Sequence, residues 1–386
     1  LINRLHIIVF PIYYSSMSSA FTLNKITLYV FIIFFSFSSC LPYDAYIHIV
    51  PDQKDIKRFK HVTVKHADTC FEFHKAPNKP IFVSNWTHKS PLSYLPLEDF
   101  LKNQKCNHFM VIKNDSIVFE YNNKKLTSYE PSPIFSITKC MVSASLGVAI
   151  KQGYIKSIND LVKDYLPELN YDKNFDLLTL NHLLNQESGV KESVNNLART
   201  NYGKIEMVLR NIKFTSKPGE KIEYVNTNYT LLGLLIERVT KKDMHEYFSE
   251  NIWTKIGTCD STVWGYDFQS HHTRSFSFFG GSTRDLAKFG RLYMNKGMWN
   301  GKEIIDSNWV KQSTSNVNGL GKNIGYNSSF YIGEKEVGDF TAIGMYRQQI
   351  YVNPKSNVVI VGIFKFNNDN LPLRWWQLMR KIAEQA

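Results

Sequence analysis

The sequence predicts an α/β (α+β) sandwich, an antiparallel sheet flanked by helices with a mostly helical lobe inserted in the middle. Three observations carry this expectation. Strand patterns joined by a two-residue turn stand early, at 109–113 and 116–121. Strand patterns return late, at 340–343, 349–352 and 358–365. Between them, residues 150–250 are mostly helical, punctuated by Gly153, Pro167, Gly189 and Pro218-Gly219.

The elements follow in chain order. Residues 1–40 read as a targeting segment. An apolar run at 26–35 follows Lys25 and ends in Ser36-Phe37-Ser38-Ser39-Cys40, the layout of a signal peptide. The run is short for a membrane span. The ending is similar to the lipobox of bacterial lipoproteins, which would make Cys40 a lipid-bearing residue and tether the chain to a membrane, in the periplasm or outside the cell. Phe37 departs from the usual leucine, and the first methionine is Met17. Residues 41–96 carry Pro42, Pro51, Pro77, Pro80, Pro91 and Pro96, with one strand pattern at 62–66. They read as an extension that packs on the main domain, 97–386. That domain opens with a short helix at 97–102. The hairpin follows, turning at Asn114-Asp115, and then a helix starting at Ser136. Further helices are expected at 161–165, 179–185, 204–211 and 230–240. The last two strands are joined by Asn353-Pro354-Lys355-Ser356-Asn357. The chain ends in a helix at 373–384 whose core face is Trp375, Trp376, Leu378, Met379 and Ile382.

Composition narrows the class. With 43% hydrophobic and 14% aromatic residues, the 386-residue chain can bury a large core and is not a disordered one. The net charge is +12, but the lysines are scattered. A nucleic-acid binder concentrates charge in a patch or arm, so no nucleic-acid partner is expected. The nearest thing to a cluster is Lys54-Asp55-Ile56-Lys57-Arg58-Phe59-Lys60-His61, which leaves attraction to an anionic polymer or membrane as a minor reading. Five cysteines (Cys40, Cys70, Cys106, Cys140, Cys259) form no C-x-x-C pair and no zinc spacing. Neither a disulfide framework, nor a metal site, nor a cofactor is expected. His271-His272 reads as a solvated loop pair that could line a cleft.

The chemistry concentrates at Ser136-Ile137-Thr138-Lys139. Residues three apart share one helix face, so the lysine amine can stand beside the serine hydroxyl. A neutral lysine can then take the proton as Oγ attacks. The helix N-terminus supplies unpaired N–H groups where an oxyanion would form. A second copy, Ser188-Gly189-Val190-Lys191, is followed by polar residues and reads as a turn. There is no G-x-S-x-G, H-E-x-x-H or P-loop.

Four stretches carry a resemblance over roughly 97–386. The first is Ser136 to Lys139 with its trailing helix and Ile158-Asn159-Asp160-Leu161. The second is Tyr224-Val225-Asn226, followed by Leu231-Leu232-Gly233-Leu234-Leu235. The third is Gly280-Gly281-Ser282-Thr283-Arg284-Asp285, and the fourth Thr341-Ala342-Ile343-Gly344-Met345-Tyr346-Arg347-Gln348. Together these resemble the class C β-lactamase-like serine hydrolases, which include β-lactamases, D-Ala-D-Ala peptidases, esterases and amide-oligomer hydrolases. The resemblance implies Ser136 as nucleophile, with Lys139 and Tyr224 sharing the proton work. It implies Asn226 as the amide that orients substrate and holds Lys139. Gly344 would allow close backbone approach, and the N–H of Met345 would complete the oxyanion hole with that of Ser136. The family's Lys/His-Thr-Gly is replaced by Ala342-Ile343-Gly344, with Arg347 as the nearby charge. The expected activity is therefore cleavage of an ester or amide, or of a cell-wall peptide, with an esterase favoured over an efficient β-lactamase. A catalytically silent envelope binding protein of the same fold is the rival from another class.

Overall fold

The computed structural model describes residues 52, 54–84, 94–123, 130–193, 205–267, 270–315, 325–365 and 372–386. The apolar run and Cys40 lie outside the described residues. Among the described residues, no helix is long and apolar enough to cross a membrane.

The chain opens with α1 (Asp55–Arg58), β1 (His61–Thr63), β2 (His74–Lys75), β3 (Phe82–Ser84), β4 (Tyr94–Pro96) and α2 (Leu97–Asn103). The expected hairpin is β5 (Cys106–Lys113) and β6 (Ser116–Asn122), then β7 (Ser132–Pro133). The helical lobe holds α3 (Thr138–Lys151), α4 (Val162–Tyr165), α5 (Leu180–Leu184), α6 (Ile205–Leu209), α7 (Asn226–Thr240) and α8 (Met244–Phe248). Next come β8 (Val263–Asp267), β9 (His272–Thr273), β10 (Phe279–Gly281), α9 (Thr283–Met294), a small hairpin β11 (Met298–Trp299) and β12 (Lys302–Glu303), and α10 (Ser307–Ser313). The end is β13 (Gly325–Asn327), β14 (Phe330–Ile332), β15 (Phe340–Ile343), β16 (Gln349–Asn353), β17 (Val358–Phe364) and α11 (Pro372–Gln385).

The main sheet has eight strands in the order β13-β14-β15-β16-β17-β5-β6-β2. Its pairs are antiparallel, except that β2 runs parallel to β6. The hairpin register is set by its turn. Asn114 and Asp115 both take positive φ, 48° and 58°, which suits the right-handed twist of the flanking strands and the tolerance of Asn and Asp for left-handed backbone.

Strand β17 sits between β16 and β5 and shows why the sandwich forms. Val359, Val361 and Ile363 face one core with Leu286, Phe289 and Leu292 of α9. Val358, Ile360 and Phe364 face a second core with Phe100 of α2 and Trp375, Leu378 and Met379 of α11. Alternate side chains leave opposite faces of a strand, so an all-apolar run must be covered on both.

A second, five-stranded sheet in the order β1-β8-β10-β7, with β9 on β8, links the extension to the lobe. The strand expected at 62–66 is β1, paired antiparallel with β8. The extension therefore contributes a strand to each of these two sheets. It is also bonded covalently: Cys70 and Cys259 form a disulfide across 189 residues of sequence. That corrects the expectation from cysteine spacing, which carries no signal for a single long-range bridge. Cys106 and Cys140 are free and buried.

Replacing both Cys70 and Cys259 by serine should lower unfolding stability by about 2–4 kcal/mol, read as an earlier urea midpoint. An unchanged midpoint would show that the extension is held by its strand pairing alone.

Candidate active site

Ser136 lies in a 3-10 turn, Phe135–Ile137, that leads into α3, instead of in the first α-helical turn as expected. The turn is set from both sides. Ile134 N–H donates to Phe279 O at 3.0 Å. Phe279 N–H donates to Thr138 Oγ1 at 3.3 Å. Phe135 takes φ 49°, a left-handed conformation that non-glycine residues adopt at a cost. Ser136 itself is only half-buried, so a substrate can reach it.

Lys139 is 1% exposed. Its Nζ lies 3.1 Å from Ser136 Oγ, 2.9 Å from Asn226 Oδ1 and 2.8 Å from Phe276 O. The ring of Tyr224 stands beside it, with Nζ 4.9 Å from the centroid. Burial pulls the lysine down from its ordinary 10.5 to about 7, against the opposing negative charge of Glu192. Tyr224 is shifted the other way. Burial, reinforced by Tyr326 and Tyr331, raises it well above its ordinary value, while a hydrogen bond with Ser136 acts in the opposite sense. At neutral pH the tyrosine is therefore a phenol, and the lysine is the group that can be a neutral base.

Tyr224 and Asn226 are held by Gln186 and Glu192, which no sequence motif marks. Helix α7 begins at Asn226, four residues before the expected start at 230, so Tyr224 sits on the loop just ahead of it. Gln186, with φ 62°, grips that loop from below. Its carbonyl accepts from Glu223 N–H at 2.8 Å. Its side-chain Oε1 accepts from Val225 N–H at 2.9 Å and from Asn228 Nδ2 at 2.7 Å. Glu192 holds the loop from the other end, accepting from Asn226 N–H and, at 3.0 Å, from the Thr227 hydroxyl.

The end of β15 closes the site. A Cβ on Gly344 would lie 2.2 Å from Ile134 O, so only glycine lets the strand approach the Ser136 turn this closely. Met345 follows at the start of a 3-10 turn, and the ring of Tyr346 meets Phe135 edge-on at 5.3 Å. Arg347 turns the other way. Its guanidinium donates to Gln104 Oε1 at 2.8 Å and stacks 4.7 Å from the Trp375 ring centroid, in the layer of α2 and α11. The nearby charge suggested by sequence is thus engaged on the far face of the sheet.

The remaining candidates lie elsewhere. Ser188 is fully buried and its Oγ accepts from Val190 N–H at 3.1 Å, while Lys191 is exposed, so the second S-x-x-K forms no pair. His272 Nδ1 is 2.7 Å from Glu237 Oε2, and His271 packs near Tyr266; neither is among the partners of Lys139. Among the described residues, one group, Cys70, Glu72 and Cys259, has metal-ligand proximity, and its two sulfurs are bonded to each other.

The Beta-lactamase family model matches residues 108–383. The chain belongs to the beta-lactamase family of hydrolases. It is 30% identical over 169 residues to Protein flp of Staphylococcus aureus (strain MW2), a match covering 42% of this chain and 33% of that protein. The chain thus spans about a third of the length of that curated relative. A Bacillus anthracis structure assigned as a 6-aminohexanoate-dimer hydrolase superposes with a TM-score of 0.77 at 24% identity, over 89% of this chain and 94% of the other. A family VIII carboxylesterase gives 0.61 at 16% identity, over 75% and 95%. These two likenesses establish the α/β sandwich with its inserted lobe.

Gly344→Ala should leave the fold intact but slow fluorophosphonate labelling of Ser136 by about 10²-fold, because the added methyl must displace the Ser136 turn. Labelling within twofold of wild type would show that the approach of β15 is not needed.

Proposed function

We propose that the chain is a serine hydrolase that cleaves neutral esters or amides through an acyl-enzyme on Ser136. One observation carries the reading, the partner set of Lys139. Asn226 Oδ1 and Phe276 O can only accept hydrogen bonds. A neutral amine has two N–H bonds and one lone pair. With both N–H bonds committed to these two oxygens, the lone pair is left for the Ser136 hydroxyl. Lys139 then takes the Ser136 proton as Oγ bonds to the substrate carbonyl carbon. The developing oxyanion is received by backbone N–H groups of Ser136 and Met345. Tyr224, a phenol, gives its proton to the departing alcohol or amine and regains one from the Lys139 ammonium. Water then attacks the acyl carbon and returns the hydrogen to Ser136 Oγ by the reverse path.

The substrate class follows from what lines the entrance. Ile343 and Met345, both half-buried, flank Gly344 where it backs onto the Ser136 turn, and Arg347 is engaged in the opposite layer. A β-lactam carboxylate needs a charge-assisted hydrogen bond, which is about twice as strong as a neutral one. A neutral acyl group does not. The names of two structural neighbours, a 6-aminohexanoate-dimer hydrolase and a carboxylesterase, agree with amide and ester substrates. The compartment proposed is the periplasm or cell exterior, with a membrane tether through Cys40. The Cys70–Cys259 bridge supports this, since such bonds persist in oxidising surroundings.

The test compares a p-nitrophenyl short-chain ester with nitrocefin. Wild type should show a kcat/KM at least about tenfold higher for the ester, the scale of one missing charged hydrogen bond. Ser136→Ala should abolish both reactions, and Ser188→Ala neither. Faster clearance of nitrocefin would overturn the substrate assignment, and ester turnover surviving in Ser136→Ala would overturn the nucleophile.

A further inference from the structure

Glu192 stands outside the reactive set but grips the start of the helix that carries Asn226. It lies in the segment after the Ser188-Gly189 turn, half-buried, with both carboxylate oxygens engaged. One accepts from Asn226 N–H, at the first residue of α7. The other accepts from the Thr227 hydroxyl at 3.0 Å and from Ser193 N–H at 3.3 Å. A carboxylate at this place satisfies backbone donors that a helix start leaves orphaned and meets the positive end of the helix dipole. Asn226 is also the residue whose Oδ1 accepts from Lys139. The backbone of one residue is gripped by the acid and its side chain grips the base.

The geometry points to Glu192 as a positioning residue of this hydrolase: its carboxylate fixes the start of α7, hence the Asn226 amide, and places a negative charge beside the Lys139 amine that activates Ser136. This rests on the reading of Ser136 and Lys139 as the working pair.

A helix cap alone would account for the hydrogen bonds but not for the charge. The titratable groups facing Lys139 are Glu192, the Cys140 thiol next to it in α3, and the phenols of Tyr224 and Tyr229. Burial keeps both phenols and the thiol protonated. Burial also raises the Glu192 carboxyl above the ordinary carboxylate range, but three donors, Asn226 N–H, the Thr227 hydroxyl and Ser193 N–H, and the Lys139 charge act in the opposite sense, so the carboxylate is the group here equipped to carry the anion. It therefore stabilises the ammonium and works against the burial that lowers Lys139 to about 7. The sign is definite. The base is active when neutral, so activity rises as pH rises through the lysine midpoint. Removing the anion must lower that midpoint and move the rising limb to more acid pH.

The experiment measures the rate of fluorophosphonate labelling of Ser136 against pH in the full-length chain, for wild type, Glu192→Gln and Glu192→Asp. Wild type should show a rising limb centred near the lysine value of about 7. Glu192→Gln keeps an acceptor oxygen at nearly the same shape. It should move the limb down by about one pH unit, the low end of the effect of a close charge. Its plateau rate should fall severalfold as Asn226 loosens. Glu192→Asp keeps the charge but withdraws it by one methylene, and should move the limb the same way by a smaller amount. A limb that Glu192→Gln leaves in place, in a protein with unchanged circular dichroism, would reduce Glu192 to a cap and overturn the proposal. Should Glu192→Gln not fold, Glu192→Asp decides: its carboxylate is withdrawn by one methylene, so a limb displaced slightly to acid pH supports the proposal, and an unmoved limb overturns it. Failure of wild type to label at Ser136 is a different result, and would sink the pairing of Ser136 with Lys139 itself.

Discussion

A lysine amine placed in the protein interior between two oxygens that can only accept is the constraint on which the rest of this structure depends. Burial favours the neutral form, and the two acceptors use up its N–H bonds. What remains points at Ser136. Each partner comes from a different part of the chain: the 3-10 turn Phe135–Ile137 and the α3 that follows it provide the serine and lysine, α7 the amide, and the turn before β10 the Phe276 carbonyl. Three segments far apart in sequence must therefore meet within hydrogen-bond distance of one nitrogen. The two sheets and the helical lobe are the scaffold that makes them meet.

In the proposed mechanism the opposed shifts of Lys139 and Tyr224 divide the proton chemistry. Burial acts on both groups, but it favours the uncharged form of each, so the lysine becomes a base and the tyrosine stays an acid. Gln186 and Glu192 keep the pair in register by holding the loop between α6 and α7 from two sides. The strained backbone at Phe135 and Gln186 sits at these same points, where surrounding hydrogen bonds over-determine the conformation.

Much of the scaffold was legible in the sequence because its signals are local. Asn114-Asp115 between two apolar runs specifies a hairpin, and the spacing of Trp375, Trp376, Met379 and Ile382 specifies a helix face. Ser136 and Lys139 are three apart, so their meeting is a local fact too. The polar groups that set the lysine's state are not local. Phe276 contributes only a carbonyl, 137 residues away, which no side-chain pattern can announce. Glu192 and Gln186 look like turn residues until the folded chain brings α7 onto them, 34 and 39 residues on. The Cys70–Cys259 pair and the short strands β8 and β10 went unread for the same reason, since their partners are distant or their glycines weaken the strand pattern. Arg347 shows the converse: its position along the chain suggested a role at the cleft, and the turn between β15 and β16, with positive φ at Tyr346 and Arg347, sends it to the other face.

The most direct measurement of the central claim is a neutron structure of the deuterated protein at a pH well above the lysine midpoint of about 7. The account predicts two deuterons on Lys139 Nζ, one directed at Asn226 Oδ1 and one at Phe276 O, with the Ser136 hydroxyl deuteron pointing at the nitrogen. Three deuterons on Nζ, one of them directed at Ser136 Oγ, would contradict it.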